Sequence, residues 1–477
     1  MSARRLVTLA VCLAALAGTA ATVSATAAST PANVDVSVLP GNDAEDAIAV
    51  NPVNPSNVVA MAIVGAQPAG LVEGVSFNGG KTWTRQVIGG DTSSPLGDIC
   101  CDEQLAWDRF GNLWMTYLLN SNLDVLVALS TDGGLSWTKV ADVVPTTVTG
   151  NSQPNGSKND RGQVHVAKGG GDQPSIAVGP SSVWVSYTSE KSGEVQAFGA
   201  SVSGLGSFGP FSSLETVPTS NGQGDYGDTA VGPNGEVMVT YQDKENGQVG
   251  TNIYTALDPD GLGPAGFGTP RLLAHSDVGG FDFIPAQPNR SIDAEANLAW
   301  DRSGGAHNGR VYAIWTQEVG NESNDTDIEL QYSDNRGATW SSPLRLNDDH
   351  TANSQFLPAI SLDQTTGGVG VSWYDARNDL GAGGSGDVDG IPNDDAQIWA
   401  TTSKDGGVTF APNFRISAGT SSAIDAAYGF DYGDYTHAAF QSGTFSTAWS
   451  DNSNTGGTNP DGTLHQLDLF VGKVAVR

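Results

Sequence analysis

Four copies of one short phrase constrain the fold of this chain more than any other feature: SFNGGKTW at 76–83, STDGGLSW at 130–137, SDNRGATW at 333–340 and SKDGGVTF at 403–410. Each reads Ser-x-Asp/Asn-x-Gly-x-x-aromatic, which is the chemistry of a β-hairpin tip. The side chain of Asn78, Asp132, Asn335 or Asp405 can accept bonds from amides of its own turn. The glycine takes the positive φ of the bend, and the aromatic residue opens the return strand. A single Asp-Gly-Gly turn would say little. Four in one register, each after a strand-like run, define a repeat.

A second motif surrounds the first: a short apolar run, a turn, then another apolar run ending near Trp or Tyr. It recurs seven times, with first runs at 47–50, 104–107, 174–178, 228–231, 296–300, 358–362 and 436–440. The second runs are 58–64, 113–118, 183–187, 237–241, 311–315, 369–373 and 444–449, and the turns between carry Pro, Gly and Asn. Four strands per unit at this period is a propeller period. The last unit lacks an outer strand, and residues 33–40 can supply it, so that pairing of the two ends removes the exposed sheet edges. The reading is therefore all-β: one seven-bladed β-propeller over 33–477, closed by the N-terminal strand, with six blades as the rival. The repeated turn phrase resembles the Asp-box, or bacterial neuraminidase repeat, of the sialidase-like β-propellers. That resemblance implies a fold, and in such propellers these boxes lie in the outer strands, away from the central site.

The N-terminus reads as a secretion signal over 1–28, with Arg4 and Arg5 before an apolar stretch and small residues at a cleavage site. The expectation is a secreted, extracellular protein that acts as a monomer. Net charge is −30, or −32 once Arg4 and Arg5 leave with the signal. Such a surplus excludes nucleic acid as an easy partner. No later segment is long and apolar enough to span a membrane. Cys100 and Cys101 are adjacent, and a bridge between them would bend the chain ahead of a strand.

Chemistry is expected at the channel mouth where the inner strands begin, and acids gather there: Asp102 with Glu103, Asp293 with Glu295, and Asp434 beside Tyr435, with Asp43, Glu45 and Asp46 in the first unit. Crowded carboxylates raise one another's pKa, so one can stay protonated as a general acid while another is ionised. Glycoside hydrolysis uses such a pair, whereas a solvated acidic rim is the bland alternative. Gly433-Asp434-Tyr435 and Trp373-Tyr374-Asp375-Ala376-Arg377 are similar to motifs of secreted sialidase-like proteins of bacteria. The resemblance to sialidases implies an arginine clamp for a substrate carboxylate, yet acids stand at 43–46 where the first-blade Arg belongs. Arg161, Arg290 and Arg377 are the remaining candidates for substrate binding, Arg being the residue for two-pronged carboxylate recognition. His437 should share a strand face with Tyr435, and with Arg377 it forms a constellation suited to a uronate lyase.

The longest insertion, DLGAGGSGDVDGIPNDD at 379–395, carries alternating oxygen ligands. Asp387, Asp389, Asp394 and Asp395 are the expected Ca2+ ligands, and the loop would overhang the channel as a lid. No organic cofactor is implied. The functional expectation is a carbohydrate-directed propeller acting on extracellular glycans or glycoproteins, with a glycosidase-type enzyme ahead of a glycan- or protein-binding propeller and of a uronate lyase.

Overall fold

The computed structural model describes residues 33–65, 69–143, 170–189, 192–243, 249–320, 322–426, 429–453 and 466–476. The expected leader and Arg161 lie outside the described residues. Among those residues the strands form seven antiparallel sheets of four or five strands and a separate two-stranded ribbon. The chain is a seven-bladed β-propeller.

The inner strands are Asp43–Val50, Ile99–Trp107, Gly171–Val178, Thr229–Val231, Asn297–Trp300, Gln355–Asp363 and Ala438–Gln441, one for each of blades I to VII. Each packs against the next, and the seventh against the first. The closing blade takes its fourth strand from the N-terminus. Val34–Asp35 pairs with Asp468–Ala475, and a parallel bridge from Asp46 to Thr436 ties blade I to blade VII at the hub. Tryptophans 114, 184, 300, 315, 373 and 449 are fully buried, the large apolar filling that wedge-shaped blades require.

The four repeated phrases form the turns between the third and fourth strands of blades I, II, V and VI. In each, a serine hydroxyl accepts the glycine amide, from Gly80, Gly134, Gly337 and Gly407 at 2.9, 3.0, 2.9 and 2.9 Å. The same hydroxyl donates to Oδ1 of Asn78, Asp132, Asn335 or Asp405. These turns sit at the rim, far from the hub in sequence and in hydrogen bonding.

At the hub, an inner strand has no strand partner on its channel side, so its amides need other acceptors. Side chains of the preceding blade provide them. Gln104 accepts the Ile176 amide at 3.1 Å, Ser175 that of Thr229 at 3.1 Å, Asp228 that of Leu298 at 2.7 Å, and Ser361 that of Phe440 at 2.9 Å. This relay places polar residues on the axis for a structural reason.

Candidate active site at the propeller hub

Each inner strand begins with a kink. In blades I, II, III and VI the ladder to the second strand skips two residues, for example between Ala44 and Ala47 and between Cys101 and Gln104. The first skipped residue lies at positive φ: Glu45 at 59°, Asp102 at 58°, Gln173 at 47° and Leu357 at 46°. Tyr226 at 47° and Glu295 at 36° hold the same place in blades IV and V. Non-glycine residues in this region cost of order 1–3 kcal/mol each and gather at functional sites, and bulges re-aim side chains. Here the kink swings one side chain per blade toward the axis. Cys100 and Cys101 are disulfide-bonded immediately before the blade II kink, where the ladder also shifts register between Ile99 and Cys101.

The acids expected to meet at the hub do so. Glu45, Asp102, Glu103, Asp293, Glu295, Asp434 and Tyr435 lie close enough to influence one another's ionisation. They are interior groups: Glu45 and Glu103 are fully buried, Asp102, Asp293, Asp434 and Tyr435 are buried, and Glu295 is half-buried. Burial pushes the carboxyls of Glu45, Glu103, Asp293 and Glu295 well above the usual range, and neighbouring carboxylates push them further. Asp102 is raised by burial too, but its carboxylate accepts the Gln173 amide at 2.9 Å, which opposes the shift. The Tyr435 phenol is raised by burial and by Asp102, so it remains a neutral hydroxyl. Both Glu103 oxygens and the Tyr435 oxygen are buried without a hydrogen-bond partner among the described residues.

The strand-head mouth is covered, though not by the loop the sequence led one to expect. A ribbon of Asp282–Ile284 and Gln287–Ile292, inserted between blades IV and V, lies across it. Its Arg290 forms a two-pronged ion pair with Asp434, with Nε to Oδ1 at 2.6 Å and Nη2 to Oδ2. The same Nη2 is 3.8 Å from Glu45, and the guanidinium stacks over Phe430 at 4.5 Å. Asp431 fixes the ribbon by accepting the amides of Asn289 and Arg290 at 2.7 and 2.9 Å. The cover over the hub is therefore this ribbon and the 430–434 segment. The 379–395 insertion, expected to be the lid, is pinned instead to its neighbours in blades V and VI, through Asn393 to the Asn324 carbonyl and the Ser354 amide, and through Ser385 to Gln397.

From the opposite face the axis is hollow. A cavity of about 540 Å³ runs from Glu295, Tyr435 and His437 to the turns that follow the inner strands, where Arg109 and Arg302 stand. His437 is half-buried, and its Nδ1 is 2.9 Å from the Asp46 carbonyl. A carbonyl only accepts, so Nδ1 carries the proton and Nε2 is left with a lone pair. Burial lowers the His437 pKa, which favours this neutral form.

Arg377 is a correction. Its side chain reaches Asp375, Asp348 and Asn413 and stacks on Trp399 at 4.2 Å. Asp375, two residues earlier, and Trp399, cross-strand from Trp373, capture it locally. It is not placed to meet His437 and Tyr435, so the lyase constellation loses its arginine. Arg161 lies outside the described residues. Sequence reasoning named Glu45, which meets Arg290, only among the first-unit acids, and assigned no role to Tyr226, whose hydroxyl bonds Asp293. The kink register, with Glu45, Tyr226 and Tyr435 at one position of their blades, is the signal that would have found them.

No family model and no curated protein matches the chain. Solved structures are similar to it in fold. The BP39L lectin from Burkholderia pseudomallei aligns over 91% of this chain and 96% of its own, at TM-score 0.50 and 12% identity. The α-L-arabinofuranosidase Arb93A from Fusarium graminearum aligns over 80% and 99%, at 0.47 and 13%. The Hadza microbial sialidase Hz136 aligns over 87% and 72%, at 0.41 and 14%. At 12% identity the likeness to the lectin speaks for the fold alone.

Proposed function

We propose that this protein is an exported, carbohydrate-directed propeller that hydrolyses glycosidic bonds at its hub. One observation carries the reading: a proton donor and a proton acceptor line the same cavity. Glu295 is the donor, its carboxyl raised well above the usual range by burial and by Asp434, Asp293 and Glu45. His437 Nε2 is the acceptor, with the ring oriented by the Asp46 carbonyl. In the proposed reaction Glu295 protonates the leaving glycosidic oxygen while His437 takes a proton from the attacking water. Tyr435, neutral and without a partner, is available to bond a sugar hydroxyl. A cavity of about 540 Å³ lies within the roughly 300–1,000 Å³ range of small-ligand sites.

A second reading, glycan binding without turnover, is favoured by the Arg290–Asp434 pair, which closes the strand-head face and ties up one carboxylate of the cluster. One experiment separates the two. The purified protein and its Glu295→Gln variant are assayed against chromogenic glycosides, a sialoside among them, and against uronate polymers, with glycan binding measured in parallel. Turnover by the wild type that E295Q loses supports hydrolysis. Binding with no turnover on any substrate transfers the case to the second reading, and unsaturated products from uronates would refute both.

A further inference from the structure

Blade VI carries, between its second and third strands, a group of acids separate from the hub. Carboxylate oxygens of Asp379, Asp394 and Asp395 lie within 4.8 Å of one another, and all three residues are buried. Oxygens around one Ca2+ at about 2.3–2.6 Å can be no farther apart than roughly 5 Å, so a single ion can touch all three. The observation that points to a ligand is Asp394. It is 1% exposed, and neither carboxyl oxygen has a hydrogen-bond partner among the described residues. A buried carboxylate with no donor is costly to fold around, and here Asp379, Asp395 and Asp389 press on it with like charge.

Asp379 explains the arrangement. Its Oδ2 accepts the amides of Asp394 and Asp395 at 2.7 and 2.9 Å. The two ends of the insertion are thereby folded back on each other and their carboxylates face inward. Asp395 also takes the Val388 amide on Oδ2. Asp387 behaves differently. Both its oxygens are taken by amides, Gly383 at 2.7 Å and Gly390 at 2.7 Å, so it shapes the loop.

We propose that Asp379, Asp394 and Asp395 bind one Ca2+ ion, with Asp389, which groups with Asp387 and Asp395 within 4.8 Å, as a further carboxylate, and that the ion fastens the 379–395 insertion to blade VI. This assignment moves Asp387 out of the expected ligand set and brings Asp379 in. All-oxygen, carboxylate-rich ligation selects a hard cation, and a buried acid cluster that leaves little space for retained water favours Ca2+ over Mg2+.

The test uses the whole protein after removal of metals with a chelator. Titration with CaCl2 is followed by calorimetry, and melting is recorded with and without CaCl2. The expected result is one Ca2+ per chain, a melting temperature raised by several degrees, and Mg2+ bound at least tenfold more weakly. Asp394→Asn and Asp379→Asn should each lower Ca2+ affinity at least tenfold and remove the Ca2+-dependent shift. Asp394→Asn should still melt at or above the metal-free wild type, because it deletes an unpaired buried charge. Absence of binding and shift in the stripped wild type, retention of the shift in Asp394→Asn, or tighter binding of Mg2+ than Ca2+ would each overturn the proposal.

Discussion

Replacing Arg290 by Met tests the electrostatic account of the hub directly. Met keeps an apolar chain over Phe430 and removes the charge. The lost interactions are the two-pronged pair with Asp434 and the 3.8 Å approach to Glu45. Deleting one member of a buried ion pair costs about 3–5 kcal/mol because the other is left uncompensated. Arg290 is 23% exposed, so the low end applies, about 3 kcal/mol at pH 8. The pH dependence carries the sharper claim. Arg290 lowers the pKa of Glu45 and Asp102, both of which are nonetheless raised by burial. Without the guanidinium both rise further. A carboxyl raised in the folded state contributes stability that is present below its unfolded pKa and lost as pH rises through the folded value. R290M should therefore lie closer to wild type at pH 4.5 than at pH 8, and fall away as pH rises and Glu45 and Asp102 ionise. Urea unfolding at pH 4.5 and pH 8 measures both quantities, and R290M/D434N should recover much of the loss at pH 8. An equal deficit at both pH values would mean that packing, not charge, makes Arg290 matter, and the reasoning would fail.

Three further outcomes are expected. E295Q should lower kcat for any glycoside the wild type hydrolyses by about 10²–10⁴-fold, with KM little changed, and wild-type activity should decline on the alkaline side as Glu295 loses its proton; an unchanged rate would remove Glu295 from the mechanism. Glu73, buried between blades I and II and accepting from Gln86 and Trp137 at 2.6 and 2.9 Å, is pushed up to about 7 by burial. Its contribution is present below about pH 4.5 and lost through pH 7, so E73Q should be neutral near pH 4.5 and stabilising by up to about 3 kcal/mol at pH 8, as read from denaturant midpoints. In the blade VI turn, Asp405→Ala should cost about 1–2 kcal/mol through its lost bonds to the Val408 and Thr409 amides. D405N should cost less than about 0.5 kcal/mol in the same denaturation assay, since Asn78 and Asn335 already make the equivalent bonds; equal losses for the two variants would refute this account of the turn.

The blades were legible because their signals are local. A Ser-x-Asp-x-Gly turn encloses its own hydrogen bonds, and an alternating apolar run declares a strand without reference to distant residues. All seven inner strands fall where the repeats put them, and the N-terminal segment closes the ring. The hub was legible in composition but not in geometry. Arg290 stood out as a charge, but its partner Asp434 is 144 positions away, and no local pattern joins them. The converse misled at Arg377: a short motif with a conspicuous arginine looks functional, yet Asp375 and Trp399 already satisfy it. In the insertion, alternation picked out the acids near 387–395, while Asp379, at the far end of the loop, becomes their neighbour only when the loop folds back.

The hub acids divide by what they give to the fold. Asp228 accepts amides of Thr229 and Leu298 and the Ser175 hydroxyl, and Asp102 accepts Gln173. Each holds a strand edge that has no strand beside it, so a propeller of any function would profit from them. Glu103 gives nothing of that kind, since both its oxygens are buried and unpaired. Glu45 sits on a kink at positive φ facing one arginine it shares with Asp434, and Glu295 sits on another and lines the cavity. Each of these three glutamates lowers stability relative to an apolar residue of similar size. A sequence that is locally consistent in its blades and costly at three converging carboxyls has the pattern of stability given up for chemistry. That pattern makes the two kinds of acid separable by mutation: amide substitution should strengthen the fold more at Glu103 or Glu295 than at Asp102 or Asp228, where accepted hydrogen bonds oppose the shift that burial imposes.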